Sequence, residues 1–469
     1  MLFNSIEYLI FLPLVFIIYW LLNSSYKKQN ILLLISSYIF YGWWDYRFLS
    51  LIIFSSFLDY FVGQKIEEAI GQKNKKRWLL VSLCSNLGLL GVFKYYNFFA
   101  DSFASSMSTF GWQVNDLTLN IILPVGISFY TFQTLSYSID IYRNQIKASR
   151  DIVGFFTFVS LFPQLVAGPI ERASNLIPQI ENKRNLNATL LKTGVFQIFI
   201  GLFRKVAIAD NLSVYVDSVY SNYEIHNSST LLVATVFYAF QIYFDFSGYS
   251  DIAIGSAKLF GFNFNRNFNF PYFSRTLTEF WRRWHMSLSF WLRDYLYISL
   301  GGNRKGIAIT YRNLLLTMLI GGLWHGSSWN FVIWGGIHGL FLSLEKYTFS
   351  ALKIKTFNAF GYIYTFIVVL ISWIFFRAPD LHSASLIITE IFSFNYGSLF
   401  IGDINAFVNA LLLLSLGFLV DLKIFRSSVT LEDYGVKFNI VKLSLIVSVI
   451  ILILCLFYST AENFIYFQF

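Results

Sequence analysis

The chain has 469 residues, of which 56% are hydrophobic, 20% aromatic and only 13% charged. Soluble domains carry roughly a quarter of charged residues, so this composition, with a mean hydropathy of +0.57, excludes an ordinary soluble protein and predicts an integral membrane one. The formal charge of +9 implies no nucleic-acid partner, because the lysines and arginines lie mostly in short loops between apolar runs, where the positive-inside rule puts them.

The apolar runs 8–22, 79–93, 231–244, 359–376 and 443–458 are long or nearly long enough to cross a bilayer core of about 30 Å at 1.5 Å per helical residue. Seven prolines and no period-two pattern make helices the spanning element. The N-terminal residues 1–5 lack a basic stretch and a small-residue cleavage site, so run 8–22 reads as a retained first helix. Cys84 and Cys455 both sit inside apolar runs and offer neither a disulfide framework nor a Cys-type metal site.

Loop charges set the topology. Lys27 and Lys28, then Lys65, Lys73, Lys75, Lys76 and Arg77 in 64–77, then Arg143, Lys147 and Arg150 mark three cytoplasmic loops. Segments 100–116 and 209–230 contain no Lys or Arg and should be outward-facing loops. Between them, run 153–166 is short and closes on Pro163, Gly168 and Pro169, which predicts a re-entrant or broken helix; run 190–208 crosses, with Arg204 and Lys205 oddly near its outer end. In 262–312, arginines alternate with aromatics, and Phe280, Trp284, Leu288 and Trp291 share a helical face. That pattern predicts an amphipathic helix at the cytoplasmic boundary, either a plain interfacial anchor or a grip on a phosphate-bearing ligand. About eleven crossings are expected, plus re-entrant and interfacial helices, in an all-α polytopic membrane protein with no separate soluble domain.

Five histidines are present. His325, in Gly322-Leu323-Trp324-His325-Gly326, lies between apolar runs 314–323 and 329–344, where an ionisable group is costly. With a reference pKa of about 6.5 it could take a proton from a hydroxyl; the alternative is a histidine bridging helices. His285 could orient a carbonyl or stabilise an oxyanion, or simply sit at the interface. His338 reads as a packing residue, and His226 and His382 as loop residues. Asp245 and Asp251 read as proton relays or as structural carboxylates paired with Ser, Tyr or Arg. No carboxylates stand at ligand spacing from the histidines, so no metal is expected. There is no Gly-x-Ser-x-Gly elbow, Walker loop or dinucleotide fingerprint.

The stretch Phe280-Trp281-Arg282-Arg283-Trp284-His285-Met286-Ser287-Leu288-Ser289, followed by Trp291-Leu292-Arg293-Asp294-Tyr295-Leu296-Tyr297 and by Trp324-His325-Gly326, resembles the membrane-bound O-acyltransferase (MBOAT) superfamily. Leu300-Gly301-Gly302-Asn303-Arg304-Lys305-Gly306 is most similar to its bacterial alginate O-acetylation branch, and stretches 163–172 and 243–255 extend the likeness over most of the chain. The resemblance implies a single MBOAT domain over 1–469 with core motifs in 163–345, a ring of helices around a central tunnel, and a multi-pass place in the bacterial plasma membrane.

By the same resemblance, His325 falls on the catalytic histidine and His285 on the second polar site residue. The donor would be an acyl thioester, acetyl-CoA in the simplest case and otherwise an acyl carrier protein, with no permanently bound cofactor. Arg282, Arg283, Trp284, Arg293 and Arg304 would hold it from the cytoplasmic side. Besides membrane lipids, the implied partner is a separate extracytoplasmic acetyltransferase of the SGNH-hydrolase type, acting on a polysaccharide such as alginate or peptidoglycan. D-alanyl transfer to teichoic acid and a transporter without chemistry are the alternatives.

Overall fold

The computed structural model describes residues 1–112, 114, 117–166, 168–354, 358–457 and 464–467, with the side chains of 433 and 467 excepted. Every regular element among these residues is helical. Six helical stretches are long and apolar enough to cross a membrane, among them 26–68 and 72–109, and shorter apolar helices stand beside them. The expected eleven crossings came from apolar runs alone. Several of those runs fold as joined helices or as helices shorter than a full span. Run 443–458 is helical over Ile440–Leu456, and its last residue lies outside the described ones.

Two compact units divide the chain. The first comprises Met1, residues 7–187 and residues 260–264. It holds α1 (Ile6–Leu21), α2 (Tyr26–Asp45), α3 (Leu49–Glu68), α4 (Gln72–Leu90), α5 (Tyr96–Thr109), α6 (Ile127–Tyr142), α7 (Ile152–Ser160), α8 (Phe162–Leu165) and α9 (Ala173–Glu181). In α1, Ile6, Leu9, Ile10, Leu14, Ile17 and Leu21 are exposed while Tyr8, Phe11, Val15 and Tyr19 are buried. An outward face this apolar suits lipid rather than water.

Polar side chains fasten this unit from within. Asp59 on α3 accepts from the Asn86 amide on α4 at 2.7 Å and from the Ser138 hydroxyl on α6 at 2.9 Å, so three helices share one buried carboxylate. Arg184 donates to the Tyr19 hydroxyl (2.7 Å), the Asn30 side-chain oxygen (2.7 Å) and the Ile180 carbonyl (2.6 Å). The broken helix expected in 153–166 is seen: α7 ends at Ser160, Leu161 turns at ψ 114°, and α8 follows with proline in its first turn. Segment 100–116 is not the expected loop, since α5 runs through it to Thr109; of its two acidic residues, Asp101 lies in α5 and Asp116 lies outside the described residues.

The second unit comprises residues 2–6, 188–259 and 265–469. It holds α10 (Ala188–Leu202), α11 (Asp210–Tyr220), α12 (Ser228–Leu259), α13 (Leu277–Trp281), α14 (Met286–Trp291), α15 (Ile307–His325), α16 (Trp329–Leu352), α17 (Phe360–Arg377), α18 (Leu381–Phe392), α19 (Ile404–Arg426), α20 (Leu431–Val436) and α21 (Ile440–Leu456). Glycines set its two tightest helix pairs. A Cβ on Gly201 would stand 2.6 Å from the Gly248 carbonyl oxygen, and one on Gly255 2.6 Å from that of Gly194, so α10 and α12 touch backbone to backbone. Likewise a Cβ on Gly322 would run into the Phe331 carbonyl and one on Gly335 into that of Met318, which draws α15 against α16.

Half of segment 209–230, expected as an outward loop, is α11, and its last residues begin α12. Leu212, Tyr215, Val216 and Val219 recur at helical spacing and are all buried. Between α10 and α11 the helix widens into a π turn, Phe203–Ala209. The extra residue per turn points two successive cations inward, which accounts for Arg204 and Lys205 inside an apolar run. Arg204 pairs with Asp251 at 2.6 Å and with Asp421, while Lys205 pairs with Asp210 at 2.8 Å and Asp245 at 2.7 Å. Asp245 and Asp251 are therefore paired structural carboxylates. His382, read as a loop residue, begins α18 instead, where Asp380 caps the helix by accepting from the Ser383 backbone N–H at 2.8 Å.

Candidate active site

His325 is the last residue of α15; Gly326 then turns extended (φ −157°, ψ 151°) and Trp329 opens α16. The helix end and the close α15–α16 approach fix the ring, which is 3% exposed. Aromatic rings surround it: Trp324 and Trp334 with centroids at 5.0 Å, Phe376 at 5.5 Å and Tyr466 at 5.5 Å. Its neighbour is the second predicted histidine, His285, with ring centroids 6.3 Å apart.

His285 does not lie on the continuous amphipathic helix expected across 280–291. The helix breaks there into α13 and α14, with His285 at φ 40°, ψ 55°, a left-handed conformation that costs a non-glycine residue free energy. Phe280, Trp284, Leu288 and Trp291 are all buried, so this segment is core rather than an interfacial anchor. The strain is held by Asn267. Its backbone carbonyl accepts from the Met286 N–H at 2.8 Å, and its side-chain oxygen accepts from the Ser287 hydroxyl at 2.9 Å and lies 3.1 Å from His285 Nδ1. The Asn267 amide nitrogen donates to Ser250 at 3.1 Å, so its oxygen end faces the imidazole. An acceptor at Nδ1 places the proton of neutral His285 there and leaves Nε2 as the basic nitrogen.

His338 is occupied on both sides. Nδ1 accepts from the Trp281 indole at 3.3 Å and Nε2 lies 3.0 Å from the Ser372 hydroxyl, whose own proton goes to the Val369 carbonyl. It packs on Trp334 at 4.9 Å, as its reading as a packing residue requires.

The predicted donor-binding residues separate. Arg282 and Arg283 line an open cleft of about 590 Å³ with Phe273, Arg275, Glu279 and Tyr362. Arg283 pairs with Glu279 at 2.7 Å, and Arg275 donates to the Tyr362 hydroxyl at 2.9 Å. That contact pushes the Arg275 pKa further up, so it is a permanent cation. Arg282 is exposed at the same cleft. Trp284 is instead fully buried against Phe268, Phe280 and Trp373. Arg293 pairs with its neighbour Asp294 at 2.6 Å and Arg304 is exposed in the following loop; neither lines the cleft.

Sequence reasoning missed Asn267, Arg275 and Tyr466. The alternation of Phe and Asn from 262 to 270 was a signal for the first, since Phe262, Phe264, Phe268 and Phe270 are all buried and a regular polar residue between buried rings needs a partner inside. Nothing local marks Tyr466, which reaches the site through long-range packing.

The histidine pair and the arginine cleft fall in one region of the chain, and that region matches the model of the MBOAT, membrane-bound O-acyltransferase family over residues 144–384. The chain belongs to this family and is a multi-pass membrane O-acyltransferase. It is similar to the probable alginate O-acetylase AlgI of Pseudomonas putida KT2440, with 44% identity over 398 residues, 84% of this chain and 81% of the relative. It is also similar to the peptidoglycan O-acetyltransferase of Helicobacter pylori 26695, with 37% identity over 421 residues, 83% of this chain and 79% of the relative. The teichoic acid D-alanyltransferase of Bacillus subtilis 168 is 28% identical over 241 residues, 49% of this chain and 60% of the relative.

Proposed function

We propose that the chain transfers an acetyl group from a cytoplasmic thioester, acetyl-CoA, to a hydroxyl acceptor on the outer side, for O-acetylation of an extracytoplasmic polysaccharide of the alginate or peptidoglycan kind. The observation that carries this reading is the pair of buried imidazoles, His285 and His325, 6.3 Å apart in one aromatic enclosure. The extent and names of the two acetylase relatives favour acetyl over D-alanyl transfer, since the D-alanyltransferase likeness covers only 49% of the chain.

In this mechanism the acceptor oxygen attacks the thioester carbonyl while His325 takes its proton. The C–O bond forms, the C–S bond breaks, and the imidazolium returns the proton to the departing thiolate. His285, with its proton on Nδ1, presents Nε2 as a hydrogen-bond acceptor and orients a proton-bearing group of the reactants. An oxyanion-stabilising role would need the proton on Nε2 and fits this contact poorly. Arg282 and Arg283, with Arg275, would meet the donor's phosphates at the cleft. A separate SGNH-type acetyltransferase would carry the group onward to the polymer.

His325→Ala should abolish acyl esters on the surface polymer while the protein still inserts in the membrane. Retained acylation at normal levels would refute the assignment.

A further inference from the structure

Three side chains of α12 converge on the short turn beside the histidine pair. Asp245 is buried, with one carboxylate oxygen 2.7 Å from Lys205 Nζ, and the other accepts the Ile465 backbone N–H at 2.8 Å. The next residue, Phe246, packs edge-on against His285 (4.7 Å) and against Tyr466 (4.4 Å). One turn on, Tyr249 stacks on Phe464 at 4.4 Å. Residue 465 starts the short turn Ile465–Phe467, and Tyr466 in that turn is the ring 5.5 Å from His325.

We infer that Asp245, oriented by Lys205, is a positioning residue: it anchors the Ile465–Phe467 turn so that Tyr466 closes one wall of the enclosure around His325. Aromatic stacking alone fixes a short turn loosely, because ring pairs are favourable over centroid separations of about 4.5–7 Å. A charge-assisted hydrogen bond from a backbone N–H to a buried carboxylate has a defined length and direction. Lys205 is fixed in its turn by Asp210 at 2.8 Å, so the ion pair sets where the carboxylate points. The consequence falls on orientation at the reaction centre, since Asp245 itself touches neither histidine in any described contact. The inference rests on the acyl-transfer reading of His325.

Two readouts test it on the full chain in membranes. The first is turnover. Ile465→Ala, which loses the buried side chain but keeps the N–H, is the control and should keep kcat within about twofold of wild type. Asp245→Asn removes the charge, and Ile465→Pro removes the N–H, at the first position of a turn where proline is tolerated. Each should lower kcat roughly ten- to hundredfold, the range for a lost hydrogen bond to a charged group, with KM for acetyl-CoA changed by less than about twofold. The double variant should be no worse than the poorer single one, because both act through one contact.

The second readout needs no activity. In a Cys84→Ser/Cys455→Ser background, Tyr466→Cys should resist a membrane-permeant maleimide, and adding Ile465→Pro should expose it. His325→Ala in the same background should leave the cysteine protected, which separates failure of the acyl-transfer reading from failure of this one. Wild-type turnover in both single variants, multiplying effects in the double, or equal labelling with and without Ile465→Pro would each overturn the inference. Should Asp245→Asn fail to accumulate, Ile465→Pro decides alone, since it leaves the ion pair intact.

Discussion

The side-chain oxygen of Asn267 lies 3.1 Å from Nδ1 of His285 while its amide nitrogen is committed to Ser250. That relationship chooses the tautomer of a fully buried imidazole and, through the Met286 contact to the same residue's carbonyl, holds the backbone in its left-handed turn.

Asn267→Leu should therefore lower kcat by roughly ten- to hundredfold, the size of effect for losing a partner that orients a catalytic-site imidazole. Asn267→Asp, which keeps an acceptor facing Nδ1, should recover part of it. Acetyl transfer by purified enzyme in proteoliposomes measures both. Equal activity in wild type and Asn267→Leu would remove Asn267 from the site.

Arg282 is exposed at the cleft, whereas Arg283 is paired with Glu279. Arg282→Ala should raise KM for acetyl-CoA about three- to tenfold with little change in kcat, and should flatten its dependence on ionic strength. Arg304→Ala, outside the cleft, should do neither. The comparison is a pair of steady-state titrations at two salt concentrations.

Removing one member of the buried charge cluster strands the others. Asp421→Asn or Asp251→Asn leaves Arg204 with one carboxylate in place of two, and breaking a buried pair costs about 3–5 kcal/mol. Both variants should show a marked loss of folded protein in detergent after a thermal challenge, read by size-exclusion chromatography. His338→Gln, by contrast, replaces a packed ring and should lose activity mainly in step with stability.

At the α15–α16 contact, Gly335→Ala places a methyl group against the Met318 carbonyl. Overpacking of this kind costs about 1–3 kcal/mol. Because His325 ends α15, the variant should lose turnover as well as melting temperature. Gly336→Ala, whose Cβ would meet only the end of Leu319 at 3.6 Å, is the matched control and should be near neutral.

Much of this was legible beforehand. Apolar runs located the long helices because a lipid-facing helix must be hydrophobic over its whole length, and the break near Pro163 was visible as a cluster of helix-breaking residues. The two histidines stood out as ionisable groups in apolar or aromatic surroundings. What could not be read was geometry set by distant segments. Arg204 and Lys205 looked misplaced because a π turn leaves no local composition mark, and α11 was mistaken for a loop because its polar face hid a four-residue apolar stripe. The face shared by Phe280, Trp284, Leu288 and Trp291 suggested one helix, whereas contacts from Asn267, more than ten residues earlier in the chain, split it at His285.

The π turn at Phe203–Ala209 also separates two tasks along one helix. A wide turn holds one residue more than an α-helix of the same rise, so removing a single residue there would let the segment close to regular α-helix while the helices on either side keep nearly the same phase. Gly194 and Gly201 would stay against Gly255 and Gly248, but the rewinding inside the turn would carry Arg204 or Lys205 away from its acidic partners. The extra residue serves the charge cluster and not the seam between the two helices.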